Sequence, residues 1–361
     1  MKVIIENCHS YELNNIKKAI ENGLKKLNFN FTNKNKILLK PNVFAPRLPE
    51  EAATTHPVII EALAQLLKNK ELIIGESCGA DLMVTTEAAL KKSGITEIAK
   101  KYNIKLITFE TNEKIKLETN TNLKNILFPK IIKEVDIIIN LPKLKTHSLM
   151  LMTGATKNLF GCIPGAQKRQ FHEKLKRPDK FGSMLVELSE LIKPELTIMD
   201  AVIGMEGNGP SAGTAKKTNK ILISRSTQAL DSIAAKIIDF NPQEIPTLKN
   251  FKKEVEVIGN LEIIPYKKPV NYQGLIRYTP TFIKKSIYNL YLEINQDICK
   301  QCKICLKNCP VKAIDEKNNK IFINNKRCIE CYCCHELCPH KAIELKDKIG
   351  RRIVRKILNL K

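Results

Sequence analysis

Two short cysteine runs constrain this 361-residue chain more than anything else in it. The first is Cys299-x2-Cys302-x2-Cys305-x3-Cys309-Pro310, and the second is Cys328-x2-Cys331-x2-Cys334-x3-Cys338-Pro339. Nine of the twelve cysteines lie between Cys299 and Cys338, and Cys8, Cys78 and Cys162 are scattered ahead of them. The opening Met1–Asn7 run is too short in apolar residues for an export signal and reads as a first strand. Crowded cysteines without such a signal point to metal rather than to a disulfide framework. Three closely spaced thiolates can wrap three irons of a [4Fe–4S] cube, and a fourth completes it. Eight thiolates in this spacing exceed what tetrahedral zinc pairs require.

The two runs resemble the bacterial two-cluster ferredoxins. That resemblance implies a crossed ligation, in which the fourth cysteine of each run serves the other cube. Cys299, Cys302, Cys305 and Cys338 would hold cluster one, and Cys328, Cys331, Cys334 and Cys309 cluster two. Cys333 breaks no spacing if Cys334 is the ligand. It reads as a spare buried thiol, and a regulatory or alternate-ligand role stays open beside the undefined roles of Cys78 and Cys162. Residues 295–346 carry ten Lys plus Arg against six Asp plus Glu. A shuttle of that family is usually acidic, so this basic module reads as a tethered relay, fed by an acidic redox partner such as a soluble ferredoxin.

The preceding residues alternate short apolar runs with helical periodicity, the pattern of a parallel α/β sheet. Strands are expected at Lys2–Glu6, Lys36–Leu39, Glu71–Gly75, Ile104–Phe109, Val135–Asn140, Glu195–Met199 and Lys220–Ser224. Helices are expected on the Leu13, Ile16, Ile20, Leu24, Leu27 face and over Val58–Leu67, Phe181–Ile192 and Thr227–Ile238. The expected architecture is a largely parallel, doubly wound α/β domain over 1–264, a connector over 265–294, and a small α+β ferredoxin-like domain over 295–346. The connector carries one apolar segment, Phe282, Ile283, Ile287, Leu290 and Tyr291. Residues 347–361 form a basic amphipathic tail, expected to dock on its own protein rather than on a membrane surface.

The net charge of +23 invites a nucleic-acid reading. Lysines are spread along the whole chain, aromatics are only 6%, and no nucleic-acid-binding signature interrupts the spread. A generally basic surface is the expectation, with anionic small molecules and acidic proteins as partners and nucleic acid not among them. No apolar run approaches the roughly 20 residues of a membrane span, so the expected location is the cytoplasm.

In open α/β sheets, ligands bind beyond the carboxyl ends of the strands. There the sequence places Lys40 and Asn42, then the Asn140–His147 run with Lys143, Lys145 and His147, then Asp200 and Glu206. Thr153–Gly165, with Lys157 and Asn158, lies between them, followed by Lys168 and His172, and His56 opens an earlier helix. The lysines and glycine-rich backbone suit an anion, the asparagines orient polar groups, and His147 and His172 are candidate acid–base groups. No Gly-x-Gly-x-x-Gly motif, phosphate-binding lysine loop or flavin motif appears, so no nucleotide or flavin cofactor is expected.

The strings Lys40-Pro41-Asn42, Asn140-Leu141-Pro142-Lys143-x-Lys145-Thr146-His147, Gly154-x-x-Lys157-Asn158-x-x-Gly161-x-x-Pro164-Gly165 and Glu206-Gly207-x-Gly209-Pro210 together resemble the domain-of-unknown-function family 362. Members of that family are often fused to a ferredoxin domain, so the resemblance implies architecture rather than a substrate. The short Gly-x-x-Lys-x6-Pro-Gly string is also similar to the lactate racemase family. The functional expectation is an iron–sulfur oxidoreductase that relays single low-potential electrons to a small anionic substrate or an unidentified cofactor in the α/β domain. Two alternatives stay open: a non-catalytic electron-transfer or assembly subunit, and a redox-neutral, isomerase-like enzyme with structural clusters.

Overall fold

The computed structural model describes residues 1–78, 85–119, 121, 123–165, 167–270 and 290–347. The runs Lys36–Pro41, Glu71–Glu76 and Ile137–Leu141 are rich in Ile and Leu and buried nearly throughout. That is the pattern of central strands covered on both faces. They lie in a ten-stranded sheet whose order runs Glu256–Ile258, Lys2–Asn7, Thr214–Ser224, Leu196–Glu206, Ile137–Leu141, Lys36–Pro41, Glu71–Glu76, Lys105–Thr108. The pairs from Leu196–Glu206 through to Lys105–Thr108 are parallel. Thr214–Ser224 is antiparallel to both of its neighbours, so the sheet is mixed but mostly parallel.

Alternation along the strands sends successive side chains to opposite layers. Ile37 and Leu39 join Ile16, Ile20, Ile59 and Leu63 of helices Leu13–Lys26 and Pro57–Leu66. Leu38 faces the other way, towards Phe181, Leu185 and Leu188 of helix Pro178–Ile192. Each fully buried Ile or Leu contributes about 1.5–3 kcal/mol, so this doubly covered centre is a rigid frame for whatever the strand ends carry.

The expected strands and helices are present, and three segments of the large domain differ from the sequence expectation. Lys143–His147, expected beyond a strand end, is itself a strand parallel to Leu196–Glu206 and antiparallel to Leu151–Thr153. Its period-2 pattern places three polar side chains, Lys143, Lys145 and His147, in the interior, where partners and not hydrophobicity hold them. Leu196–Glu206 and Thr214–Ser224 are also longer than expected and pair with a register shift between Ala201 and Ile203.

The small domain is an internal repeat. Strand Leu290–Ile294, which the expectation assigned to the connector, pairs antiparallel with Ile343–Asp347. Ile314–Lys317 pairs with Lys320–Ile323, and each cysteine run closes on a short helix, Ile304–Asn308 or Cys333–Leu337. The two halves share a backbone: Gln301, Lys303 and Lys312 have φ of 53°, 59° and 50°, and their counterparts Glu330, Tyr332 and Lys341 have 55°, 61° and 55°. Ile304 and Leu337 pack into the layer that contains Val43 of the large domain. Most of the apolar connector segment, and residues 348–361 of the expected tail, lie outside the described residues. Among the described residues no helix is long and apolar enough to cross a membrane.

Candidate functional site

Eight thiols converge on two cavities in the small domain. One, of about 340 Å3, is lined by Cys299, Cys302, Cys305 and Cys338. The other, of about 310 Å3, is lined by Cys309, Cys328, Cys331 and Cys334. Cys338 thus lines the cavity of the first run and Cys309 that of the second, the arrangement that the expected crossed ligation would use. Among the described residues no three His, Cys, Asp or Glu side chains gather tightly enough to hold a single metal ion. Backbone N–H groups point at the sulfurs, from Ala313 to Cys309 at 3.1 Å and, at the equivalent place, from Ala342 to Cys338 at 3.3 Å. Cys333 lines neither cavity. It faces the strand-end cleft of the large domain.

That cleft lies where the strand order reverses. From Lys36–Pro41 the order steps outward to Glu71–Glu76 on one side and to Ile137–Leu141 on the other, which leaves a crevice at the carboxyl ends. Asn42, Val43 and Phe44 follow the first strand, Glu76 and Ser77 end the second, and Lys145, Thr153, Lys157 and Asn158 follow the third. Lys168, Arg169 and His172 come from helix Gln167–Lys174. The remaining wall is Asn308, Cys333, Glu336 and Leu337 of the cluster domain, around about 870 Å3 of space that is partly open to solvent.

The lysines on and behind these walls are not equivalent. Lys40 is wholly buried behind the wall and donates to Glu76 Oε2 at 2.7 Å and to the Pro41 carbonyl at 2.8 Å. Burial pushes the Glu76 carboxyl up, against the pull of Lys40 and Lys168. A Cβ on Gly161 would lie 2.3 Å from Glu76 Oε1 and 2.6 Å from Lys40 Nζ, so the ion pair explains this glycine. Lys145 donates to the Ala53 carbonyl at 2.6 Å and lies over the Phe44 ring at 4.3 Å. Lys168 donates to both the carbonyl and the hydroxyl of Ser77 and to the Cys78 carbonyl. Lys157 alone among them has no hydrogen bond or ion pair to a described residue; burial lowers its pKa and the Glu336 carboxylate opposes the shift. Burial likewise lowers Lys145, with Lys157 adding to the effect, and lowers Lys168.

An amide chain orients the cleft floor. Asn42 donates to Asn158 Oδ1 and Asn158 to Asn140 Oδ1, each at 2.8 Å, and Asn140 to the Ala155 carbonyl at 3.0 Å. Asp231 accepts from the N–H groups of Ala155 and Thr156 at 2.6 and 3.0 Å and so fixes the start of the short helix Ala155–Asn158. A Cβ on Gly154 would fall 2.1 Å from Asp231 Oδ1, so this glycine too is dictated by close approach. Four buried polar atoms on the walls, Asn42 Oδ1, Thr153 Oγ1, His172 Nδ1 and Glu336 Oε1, have no hydrogen-bond partner among the described residues. Native interiors rarely leave such atoms unmatched, and their convergence on one cleft suits a polar ligand.

His147 Nδ1 accepts from the N–H groups of Leu149 and Met150 at 3.0 and 3.2 Å, which puts the ring proton on Nε2. Nε2 lies 3.2 Å from Glu336 Oε1, out of hydrogen-bonding line. Burial, aided by Lys157 and Lys145, holds His147 neutral with a pKa well below the usual histidine range. His172 stacks on Phe181 with centroids 4.7 Å apart, and burial brings it down to about 3.

The other expected site residues gather elsewhere. Lys143, Asp200 and His56 meet around Tyr11, whose hydroxyl accepts from Lys143 at 2.7 Å and donates to Asp200 Oδ1 at 2.8 Å. Lys143 also reaches Asp200 Oδ2 at 2.8 Å, which accepts the His56 N–H at 2.9 Å. His56 stacks on Tyr11 at 3.7 Å, and burial lowers it to about 4. Glu206 accepts from the Lys267 N–H at 2.9 Å, on a third face. None of these four lines the cleft. Sequence reasoning missed Glu336, which sits inside a ligand run and reads there as a spacer, and it read Cys333 as a spare thiol rather than as part of the cleft wall. The available signal was the repeat itself: Glu336 stands where the first run has Lys307.

A family model for a domain of unknown function, DUF362, matches residues 37–236, and a model for a 4Fe-4S dicluster domain matches residues 291–339. The second match and the two thiol quartets establish that the chain carries two [4Fe–4S] clusters. A thylakoid-associated protein of Synechocystis is 33% identical over 221 residues, 59% of this chain and 66% of that protein, so the chain spans just under two thirds of that relative's length. Among solved structures, a lactate racemase apoprotein from Thermoanaerobacterium thermosaccharolyticum is similar with a TM-score of 0.45 and 13% identity, over 66% of this chain and 57% of that one.

Proposed function

The chain belongs to the DUF362 family, and we propose that it is an iron–sulfur oxidoreductase acting on a small anionic substrate in the strand-end cleft. One observation carries this reading: the helix between ligands Cys334 and Cys338 supplies Glu336 and Leu337 to the same cleft that Lys145, Lys157 and Asn42 line. A relay whose ligand helix is also a wall of the pocket is placed to exchange electrons with whatever the pocket holds.

The clusters, when bound, supply single electrons at low potential. The chain's own residues do the rest. Lys157 offers an unengaged ammonium to a carboxylate or phosphate, and Lys168 and Arg169 add positive potential along the same wall. Asn42 and Thr153 present unmatched polar atoms to the ligand's hydroxyl or carbonyl groups. His147 keeps its proton on Nε2, with Glu336 Oε1 3.2 Å away but out of hydrogen-bonding line, and it does not line the cleft. His172 brings a neutral ring with a free Nδ1 and is the better placed acid–base group of the two. The reading places the chain in the cytoplasm, with an acidic one-electron carrier as its partner.

Anaerobic reduction with dithionite, followed by EPR, should give two interacting cubane signals. Mixing the reduced protein with panels of carboxylates and phosphates should reoxidise it with one of them, and Lys157→Gln should slow that reoxidation at least about tenfold with the iron content intact. Reoxidation at the wild-type rate in Lys157→Gln would sink the cleft assignment.

A further inference from the structure

Resting on the reading that the cleft exchanges electrons with the neighbouring cluster, we infer that the two clusters are unequal: the Cys299 cluster is the higher-potential one, at a port for an acidic one-electron carrier, and the Cys328 cluster is the lower-potential one, beside the cleft.

The repeat makes this a controlled comparison. The two ligand loops share backbone conformation at every equivalent left-handed position, so what differs around the clusters is side chains. Between its first three ligands, the first loop carries Lys300, Gln301, Lys303 and Ile304. The second carries Ile329, Glu330, Tyr332 and Cys333. Lys300 stands where the second loop has Ile329, Lys303 where it has Tyr332, and Gln301 where it has Glu330. The cavities repeat the contrast, since Lys300, Gln301, Lys303 and His340 rim the first. The second is closed by carbon and one phenol, with Pro310, Val311, Ile314, Ile323, Ile329 and Tyr332. Arg47, almost wholly buried, adds a third cation beside the first cluster by donating to the Cys338 carbonyl at 2.9 Å. Lys303 is partly offset by Glu316 at 2.7 Å and Arg47 by Glu51 at 3.4 Å, which leaves Lys300 as the main difference. Reduction adds a negative charge to a cluster. Nearby cations favour it, and an apolar shell with a carboxylate opposes it.

Position matches potential. Lys300, Gln301, Lys303 and His340 are all exposed, so the rim of the first cluster is a basic surface open to a protein partner. The cleft wall is made instead by neighbours of second-cluster ligands, with Cys333 next to Cys334 and Asn308 next to Cys309. Leu337, next to Cys338, is the one wall residue adjacent to a first-cluster ligand, and it is apolar.

An anaerobic redox titration of the full chain, monitored by EPR, tests this without any substrate. Two one-electron waves are expected. Lys300→Glu should lower the upper wave, by as much as about tenfold in the one-electron equilibrium or ~59 mV, and leave the lower one in place. Glu330→Gln should raise only the lower wave, and Lys157→Gln should lower only that wave. Iron content and cluster signals confirm intact modules, and Lys300→Gln repeats the test with a smaller perturbation. A single merged wave, a Lys300 variant that moves the lower wave, or a Lys157 variant that moves the upper wave would each overturn the assignment. Stopped-flow reduction by an acidic two-iron ferredoxin tests the port. At low ionic strength Lys300→Glu should slow it about tenfold, with the difference fading as salt screens the surface and no matching loss with dithionite. Equal slowing with both reductants overturns the port. Failure of every substrate panel would remove the cleft reading while leaving these potentials as measured, so the two outcomes are separable.

Discussion

His172 meets the aromatic rings of Phe160 and Phe181 and leaves its Nδ1 without a partner among the described residues, and burial, aided by the charge of Lys157, sets its titration. Its folded pKa is about 3, against about 6.5 unfolded. Between those values the unfolded chain binds the extra proton, so stability rises with pH across that window and is complete above it. His56, brought down to about 4, acts with the same sign. Asp231, raised to about 6, acts with the opposite one, because there the folded state holds the extra proton and stability falls as pH rises through that value. Urea unfolding of His172→Phe between pH 4 and 6 should therefore show a shallower acid-side loss than wild type, by up to about 1.4 kcal/mol per pH unit. An unchanged slope would mean that this ring is solvated in the folded protein. At this scale the sequence was legible by type and not by state. Lys40, Lys143 and Lys157 look alike in the chain, and each follows or flanks a strand. Only the fold shows that Glu76 takes the first, Asp200 the second, and no described residue the third, because those partners are distant in sequence. The glycines tell the same story, since Gly161 and Gly154 read as backbone open to an anion and are in fact spaces kept clear for Lys40–Glu76 and Asp231.

Elements were easiest to read where hydrophobic periodicity dictates them and hardest where polar partners do. The Ile- and Leu-rich strands and the Leu13–Lys26 helix follow from apolar spacing alone, whereas Lys143–His147 is a buried strand of basic residues that no hydrophobic pattern announces. Docking of the ligand helix Cys333–Leu337 is of the second kind. Arg47 donates to Ser211 Oγ at 2.6 Å and to the Cys338 carbonyl at 2.9 Å, while Lys341 reaches Glu51 at 3.3 Å. A charged donor to buried acceptors contributes about 1.5–3 kcal/mol. Arg47→Met keeps most of the side-chain volume and removes the donors. Amide exchange in Cys333–Leu337 should then accelerate by about ten- to a hundredfold, the equivalent of that energy, with exchange in strand Lys36–Pro41 unchanged. Equal acceleration in both places would show that Arg47 supports the large domain rather than the joint between the two.

At the scale of the whole molecule, the two domains differ in what holds them together. The sheet domain has continuous apolar layers on both faces of its strands. The cluster domain has one small core, in which Cys334 and Cys338 are themselves buried members and Cys299, Cys305, Cys309 and Cys328 pack around it. A domain of that size seldom folds on apolar burial alone, and metal binding then becomes part of its folding free energy. Stripping the iron under anaerobic, reducing conditions should leave far-UV circular dichroism of the sheet domain and its slowest-exchanging amides intact. Residues 290–347 should at the same time lose exchange protection. The cleft would lose its Asn308, Cys333, Glu336 and Leu337 wall together with the metal, so anion binding, measured by calorimetry with inorganic phosphate as the probe, should weaken in parallel with iron loss. Protection in 290–347 that survives iron removal would show a self-sufficient small domain, and unchanged phosphate binding would place the anion site wholly within the sheet domain. The coupling follows from topology: the strand-order reversal opens a crevice that the large domain leaves unfinished, and the helix that completes it is held in shape by cluster ligands at both of its ends.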